Sequence, residues 1–303
     1  MKRKQLSGIN KCANNNIFRK GLTMKHKKII TSILICALAV CVCACGSSNS
    51  SSAATSEDSK ASSQKASDSQ KDGAKTPNAS EVYKLKAGTV VSPADSAAAK
   101  KYFRVYKIKK GDAVYKRIAG KSFKTNGRIS LSDLRYVKVL HVGYDKKTHV
   151  GELIVNRAIA SKTKAVFYQL YGRHYQIKSM KLIDNYYKYR GEDGNKADIR
   201  SMNADNTSAF NYRFITHTTS LSNHSWGRAI DLNPLENPYC KKSNGVWYAV
   251  DHPELNKYAR NRSSRIPHVI TRKDAAYKLF VKAGFFWGGN WTQTPDYQHF
   301  EYR

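Results

Sequence analysis

Two stretches of the chain hold the residues best suited to chemistry. SLSNHSWGRAIDLNP, residues 220–234, places His224 seven residues before Asp231, and DYQHFEY, residues 296–302, places Asp296 three residues before His299. A carboxylate set between Ile230 and Leu232 is costly unless a cation pairs with it. In an extended RAIDLN segment, Ala229 and Asp231 share one face while Ile230 and Leu232 share the other. The apolar pair can then bury and leave Asp231 facing a cleft. Gly227 permits a tight turn that returns His224 to Asp231. On a second strand, His299 and Glu301 share a face opposite Phe300 and Tyr302. Two histidines and one aspartate make a three-ligand protein set for catalytic zinc, with the fourth position left to water. A second carboxylate, not itself a ligand, must carry the water's proton to the leaving amine. Asp296 follows Pro295, where a turn can aim it at the same cleft, and fits that role. The competing reading keeps His224 and His299 as structural members of the chain's nine histidines and pairs Asp231 with an arginine.

The elements that must position these residues are legible in outline. RYVKVLHVGY (135–144) and HVGELIVN (149–156) flank a polar turn and predict a β-hairpin. NRAIASKTKAVFYQLY then carries Ile159, Val166, Phe167 and Leu170 on one helical face, with Asn156 as the expected N-cap. MKLIDNYYKY reads as a further strand, and RGEDGNKADIRSMNADNTSAF as a long polar loop. RAIDLN is strand-like. TRKDAAYKLFVKAGF predicts a helix capped by Thr271 and stopped by Gly284, and YQHFEY a last strand. Strands and helices mix without a regular βαβ alternation. This predicts an α+β fold with a mainly antiparallel sheet and flanking helices.

The spacing Ser-x-His-x-x-Gly-x-Ala-x-Asp, carried by Ser222, His224, Gly227, Ala229 and Asp231 and followed by a distant Asp-x-x-His, resembles the D-Ala-D-Ala carboxypeptidase family of zinc peptidases. That family includes VanY-type carboxypeptidases and L-alanyl-D-glutamate endopeptidases, and its fold is related to the hedgehog signalling domain. The resemblance runs from about Leu134 to Arg303. It implies that His224, Asp231 and His299 are the zinc ligands and Asp296 the catalytic base. It also implies that Arg213, in NTSAFNYR, binds substrate or stabilises an oxyanion. Ser222 is expected to orient the His224 loop, and Trp226, Trp287 and Trp291 either to wall the cleft or to pack in the core. One departure stands out. Strict D,D-carboxypeptidases of the family carry Glu-x-x-His, whereas Asp296-x-x-His299 looks more like the endopeptidase branch.

Charge and cysteines set the location. The 303 residues carry 53 Lys and Arg against 22 Asp and Glu, a formal net charge of +31. Nine of the basic residues fall in the first 28, which leaves 44 against 22 in the remainder. Such an excess favours polyanions, either nucleic acid or an anionic cell envelope. MKHKK at Met24, the apolar run IITSILICALAVCV (29–42) and VCACGSS resemble a bacterial lipoprotein signal with Cys45 as the lipidated residue. The apolar run is shorter than the roughly 20 residues of a membrane span. Of six cysteines only Cys240 lies beyond this segment, which excludes a disulfide or a cysteine zinc site in the body. The expected organisation is an upstream extension (1–23), a lipoprotein signal peptide (24–45), a disordered or weakly ordered linker (46–100) and a zinc peptidase domain (101–303). The reading is a lipid-anchored, extracytoplasmic peptidase acting on peptidoglycan stem or cross-bridge peptides. Its basic surface would contact anionic wall polymers, and no nucleic-acid motif is recognisable. The alternative is a non-catalytic wall-binding lipoprotein on the same fold.

Overall fold

A computed structural model describes residues 77–125, 128–250 and 252–303. The upstream extension, the signal segment with Cys45 and most of the linker lie outside the described residues. In chain order the elements are α1 (Ala79–Lys84), α2 (Ser96–Lys100), β1 (Arg104–Lys107), α3 (Ala113–Ile118), β2 (Leu134–Val142), β3 (Thr148–Asn156), α4 (Ala160–Gly172) and α5 (Gly194–Asn203). There follow β4 (Ala229–Asp231), β5 (Cys240–Ser243), β6 (Val246–Ala249), α6 (Asn256–Arg260), α7 (Ala275–Lys282), β7 (Phe286–Trp287) and β8 (His299–Glu301). The α+β class holds, with the strands divided among three small antiparallel sheets, β1-β2-β3, β4-β8-β7 and β5-β6.

The predicted hairpin is β2–β3, in register from Leu134 opposite Asn156 to Val142 opposite Thr148. Its apolar residues pack against α4 through Val166, Phe167 and Leu170, all buried. Phe167 meets Phe280 of α7 edge to face at 5.9 Å, and Phe280 stacks on Phe300 of β8 at 4.3 Å. This run of rings fixes β8 against the main core. Because side chains alternate along a strand, burying Phe300 turns His299 and Glu301 to the opposite face.

Five expectations need correction. The domain begins earlier than residue 101: Val82 and Ala99 are buried in the main core, and the backbone of Gly88 and Val91 donates to Val150 and Thr148 of β3. The segment EVYKLKAGTVV has just enough apolar residues to cover that edge. Asn156 does not cap α4. Its Oδ1 accepts from Ala158 N at 3.0 Å, and its Nδ2 donates to Trp226 O at 3.0 Å. MKLIDNYYKY forms one 3-10 turn at Ile183–Tyr186, where Asn185 Nδ2 donates to Leu182 O and competes with strand pairing. The supposed long loop contains α5, capped by Asp193, whose buried face includes the polar Asp198 and Ser201. At α7 the cap is Asp274, which accepts from Ala276 N, rather than Thr271. Gly284 ends that helix region at φ 94° as expected.

Candidate metal centre

His224 sits in a 3-10 turn, Asn223–Trp226, capped by Ser222, whose Oγ accepts from His224 N. The turn closes on Gly227 at φ 64°, and a Cβ there would come within 2.7 Å of Asn156 N. Glycine is therefore required both for the left-handed conformation and for the close approach. Ser225 Oγ accepts from Arg213 N and donates to Arg213 O, which fastens the turn to the preceding segment.

β4 and β8 then pair so that Asp231 lies opposite His299, Ile230 opposite Phe300 and Ala229 opposite Glu301. The alternation read from the sequence thus becomes a cross-strand contact. Asp231 Oδ1 is 2.9 Å from His299 Nδ1, Asp231 Oδ2 is 3.1 Å from His224 Nε2, and the two ring nitrogens are 3.3 Å apart. One donor atom from each of the three residues lies within 4.8 Å of the others, and all three are buried. Two nitrogens and an oxygen at this spacing fit a tetrahedral metal set, whose donors are about 3.3 Å apart when the bonds are about 2.0–2.1 Å.

The remaining ring nitrogens are held as well. Ala209 O lies 2.6 Å from His224 Nδ1, and Glu301 Oε2 lies 3.5 Å from His299 Nε2. Glu301 also accepts from Asn223 Nδ2 and Arg303 Nε. Such partners fix the tautomer and orientation of a metal-binding imidazole. The sequence placed Glu301 on the face of His299 without giving it this role. The Ala209 carbonyl and Asn223 carried no signal in the sequence.

Charge in the metal-free chain shows what the cluster prefers. Burial pushes the His299 imidazole down, but hydrogen bonds to Asp231 and Glu301 outweigh it and hold the group up at about 10. Burial would raise Asp231, yet His224 and His299 bring it well below the usual carboxylate range. The hydrogen bond with His299 brings Glu301 down to about 2. The pocket therefore favours positive charge, as a cation site must.

Asp296 stands on the loop before β8. Asp296 N donates to Gly288 O, Cys240 N donates to Pro295 O, and Tyr239 bridges to Asp296. A Cβ on Gly288 would come within 2.7 Å of Asp296 O and 3.1 Å of His299 Cβ, so this approach too needs glycine. Burial pushes the Asp296 carboxyl up to about 7, with Asp231 adding to the rise and His299 opposing it. Its Oδ1 is buried and has no hydrogen-bond partner among the described residues.

Arg213 is brought to the turn but engaged elsewhere. Its Nη2 pairs with Asp198 Oδ2 at 2.8 Å, while its buried Nε has no hydrogen-bond partner among the described residues. Trp291 lies beside the cluster, its ring 5.4 Å from that of His299. Trp287 packs in the core, and Trp226 against a second apolar cluster. His141, His149, His252 and His268 find other partners: Ile177 O, Asp145, Glu254 and the Tyr144 ring.

Residues 216–302 match the family model described as D-alanyl-D-alanine carboxypeptidase. Over this segment the family resemblance is borne out, and the segment contains His224, Asp231, Asp296 and His299 but not Arg213. It is shorter than the Leu134–Arg303 span suggested by the sequence. No curated protein and no solved structure gave a significant match.

Proposed function

We propose that the chain is a zinc-dependent peptidase that hydrolyses amide bonds in peptidoglycan peptides, as a carboxypeptidase or an endopeptidase. The observation that carries this reading is the convergence of His224, Asp231 and His299 beside a buried carboxylate, within the segment that matches a peptidase family. The family match points to cell-wall peptides as the substrate class. His224 Nε2, His299 Nδ1 and one Asp231 oxygen would hold the metal. Zinc, when bound there, supplies a Lewis acid that polarises a carbonyl and makes water nucleophilic at neutral pH.

Asp296 takes the proton from water and passes it to the departing amine. A carboxyl held near 7 is suited to both halves of that transfer. Arg213 offers its unpartnered Nε–H to the carbonyl oxygen as charge builds there, while Asp198 fixes the guanidinium plane. Glu301 and the Ala209 carbonyl keep both imidazoles oriented. The reading also includes attachment to the outer face of the membrane through lipidated Cys45. It is tested by incubating the full chain with zinc and purified peptidoglycan and identifying products by mass spectrometry. Loss of a terminal D-alanine defines a carboxypeptidase, and internal cleavage an endopeptidase. No cleavage by a zinc-loaded chain favours a wall-binding protein instead.

A further inference from the structure

A cavity of about 530 Å³ lies where α2, the start of β1 and the outer face of α4 meet. On α4, Lys164, Ala165 and Tyr168 share one face, opposite the buried Val166, Phe167 and Leu170. Phe103 forms the floor and meets the Tyr168 ring edge to face at 5.0 Å. Ala97 and Ala165, both exposed, add methyl groups to the walls. Lys100 and Lys101 at the end of α2, Arg104 at the start of β1 and Lys164 supply the charge, and the lining holds no acid. None of these four cations makes an ion pair among the described residues, and Arg104 Nε donates to a neutral partner, the Lys101 carbonyl. The preceding acid in the chain, Asp95, is engaged as the cap of α2, where it accepts from Ala98 N. The segment KKYFRVYKIKK (100–110) carries six basic residues and no acid.

We propose that this cavity takes an anionic lipid, with the phosphate among the cations and the first part of an acyl chain against Phe103 and Tyr168. Charge complementarity requires an anion, and the apolar floor requires that the anion carry a hydrocarbon body. Lys and Arg lay their apolar stems along such a body while their charged heads stay at the water side. A bare phosphate or a polyol phosphate polymer would satisfy the rim and leave the floor wet. A neutral lipid would cover the floor and leave four cations unbalanced. The proposal stands apart from the peptidase reading, since no lining residue belongs to the metal cluster or to the segment that matches the peptidase family. Attachment at Cys45, as proposed above, would bring a bilayer within reach of this face.

The test is calorimetric titration of the full chain with dihexanoyl phosphatidylglycerol, kept monomeric. Phosphatidylcholine of the same chain length controls for charge, and glycerol phosphate for the acyl chains. Saturable binding of the anionic lipid at one site per chain is expected, with little or none of either control. Lengthening the chains from butanoyl to hexanoyl should raise affinity about threefold to fourfold per buried CH₂. Lys100→Gln and Lys164→Gln should each weaken binding about fivefold, the usual weight of one basic residue against anionic lipid. Lys241→Gln and Lys242→Gln, at exposed positions on β5, should leave it unchanged. Ala165→Glu sets a carboxylate in the cavity at an exposed helical position, and should abolish binding without lowering the melting temperature. The proposal is overturned if the anionic lipid does not bind, or if phosphatidylcholine or glycerol phosphate binds as tightly. It is also overturned if the β5 variants lose as much as the cavity variants. Binding that survives Ala165→Glu would place the lipid on another part of the chain, such as the apolar run 29–42, and overturns it as well.

Discussion

Replacing Asp296 by asparagine separates metal binding from proton transfer and measures the strain at the loop. The three donor residues are untouched, so zinc content should remain near that of the wild type. Turnover on peptidoglycan peptides should fall by about two to four orders of magnitude, the usual weight of a positioned general base. Stability should move the other way. In the metal-free chain the carboxyl is raised from 3.8 to about 7 by burial, about three units at about 1.4 kcal/mol each. A carboxylate whose folded pKa is raised binds its proton more tightly when folded, so folding loses stability as pH rises from about 4 to 7. The ceiling on that loss is about 4 kcal/mol above pH 7. The carboxamide removes it but brings buried N–H donors that cost about 1–3 kcal/mol if unpaired. The metal-free Asp296→Asn protein should therefore melt no lower than the metal-free wild type at pH 8, with its relative advantage shrinking at pH 4. Metal analysis, melting curves and turnover on the same preparations decide the matter. An active variant would refute the role of the base, and a variant stripped of zinc would make Asp296 a ligand.

His224→Ala and His299→Ala should lose most bound zinc while His217→Ala and His252→Ala keep it. Metal analysis after dialysis checks this, and equal loss from all four would mean that the ligands were misassigned. Glu301→Gln should weaken zinc affinity about tenfold, the lower end of the usual effect of a supporting carboxylate, because its contact with His299 is long at 3.5 Å. Competition with a fluorescent chelator measures it. Burial, and then the neighbouring Asp205, hold Glu236 up at about 7. Stability should therefore fall as pH rises from about 4.5 to 7, and Glu236→Gln should flatten that slope in melting curves. Cys45→Ala should prevent acylation and shift the protein from the detergent phase to the aqueous phase. A mature protein that starts well downstream without an acyl group would rule out the anchor.

The site was legible in the sequence because its chemistry is local and periodic. Alternation in RAIDLN and YQHFEY set Asp231 and His299 on the faces opposite Ile230 and Phe300, and Gly227 marked the turn. What the sequence concealed depended on partners far along the chain. Glu301 shares a face with His299 in the sequence, but its supporting role emerges only when Asn223 and His299 close on it. Arg213 shows no partner in the sequence, and only the fold brings Asp198 of α5 beside it. That helix was itself hidden, because its buried face is made partly of polar residues satisfied by tertiary contacts. The sequence left open whether EVYKLKAGTVV joins the domain for a related reason: a few apolar residues in a polar stretch suffice when a strand edge waits for them.

The pairing of Asp231 with His299 would give a metal held there a part in folding as well as in chemistry. β4 and β8 are three residues each, and strands so short have few contacts with which to tell one alignment from the next. Sliding either by a single residue would turn its donor towards the phenylalanine layer and bring Ile230 or Phe300 into the cleft. Chelation would add to the packing of Phe300, since an ion that needs both donors together rewards one alignment and no other. A bound cation would thus act as a proofreader of strand register. Chains that refold without it should include a slipped population that late addition of metal rescues slowly.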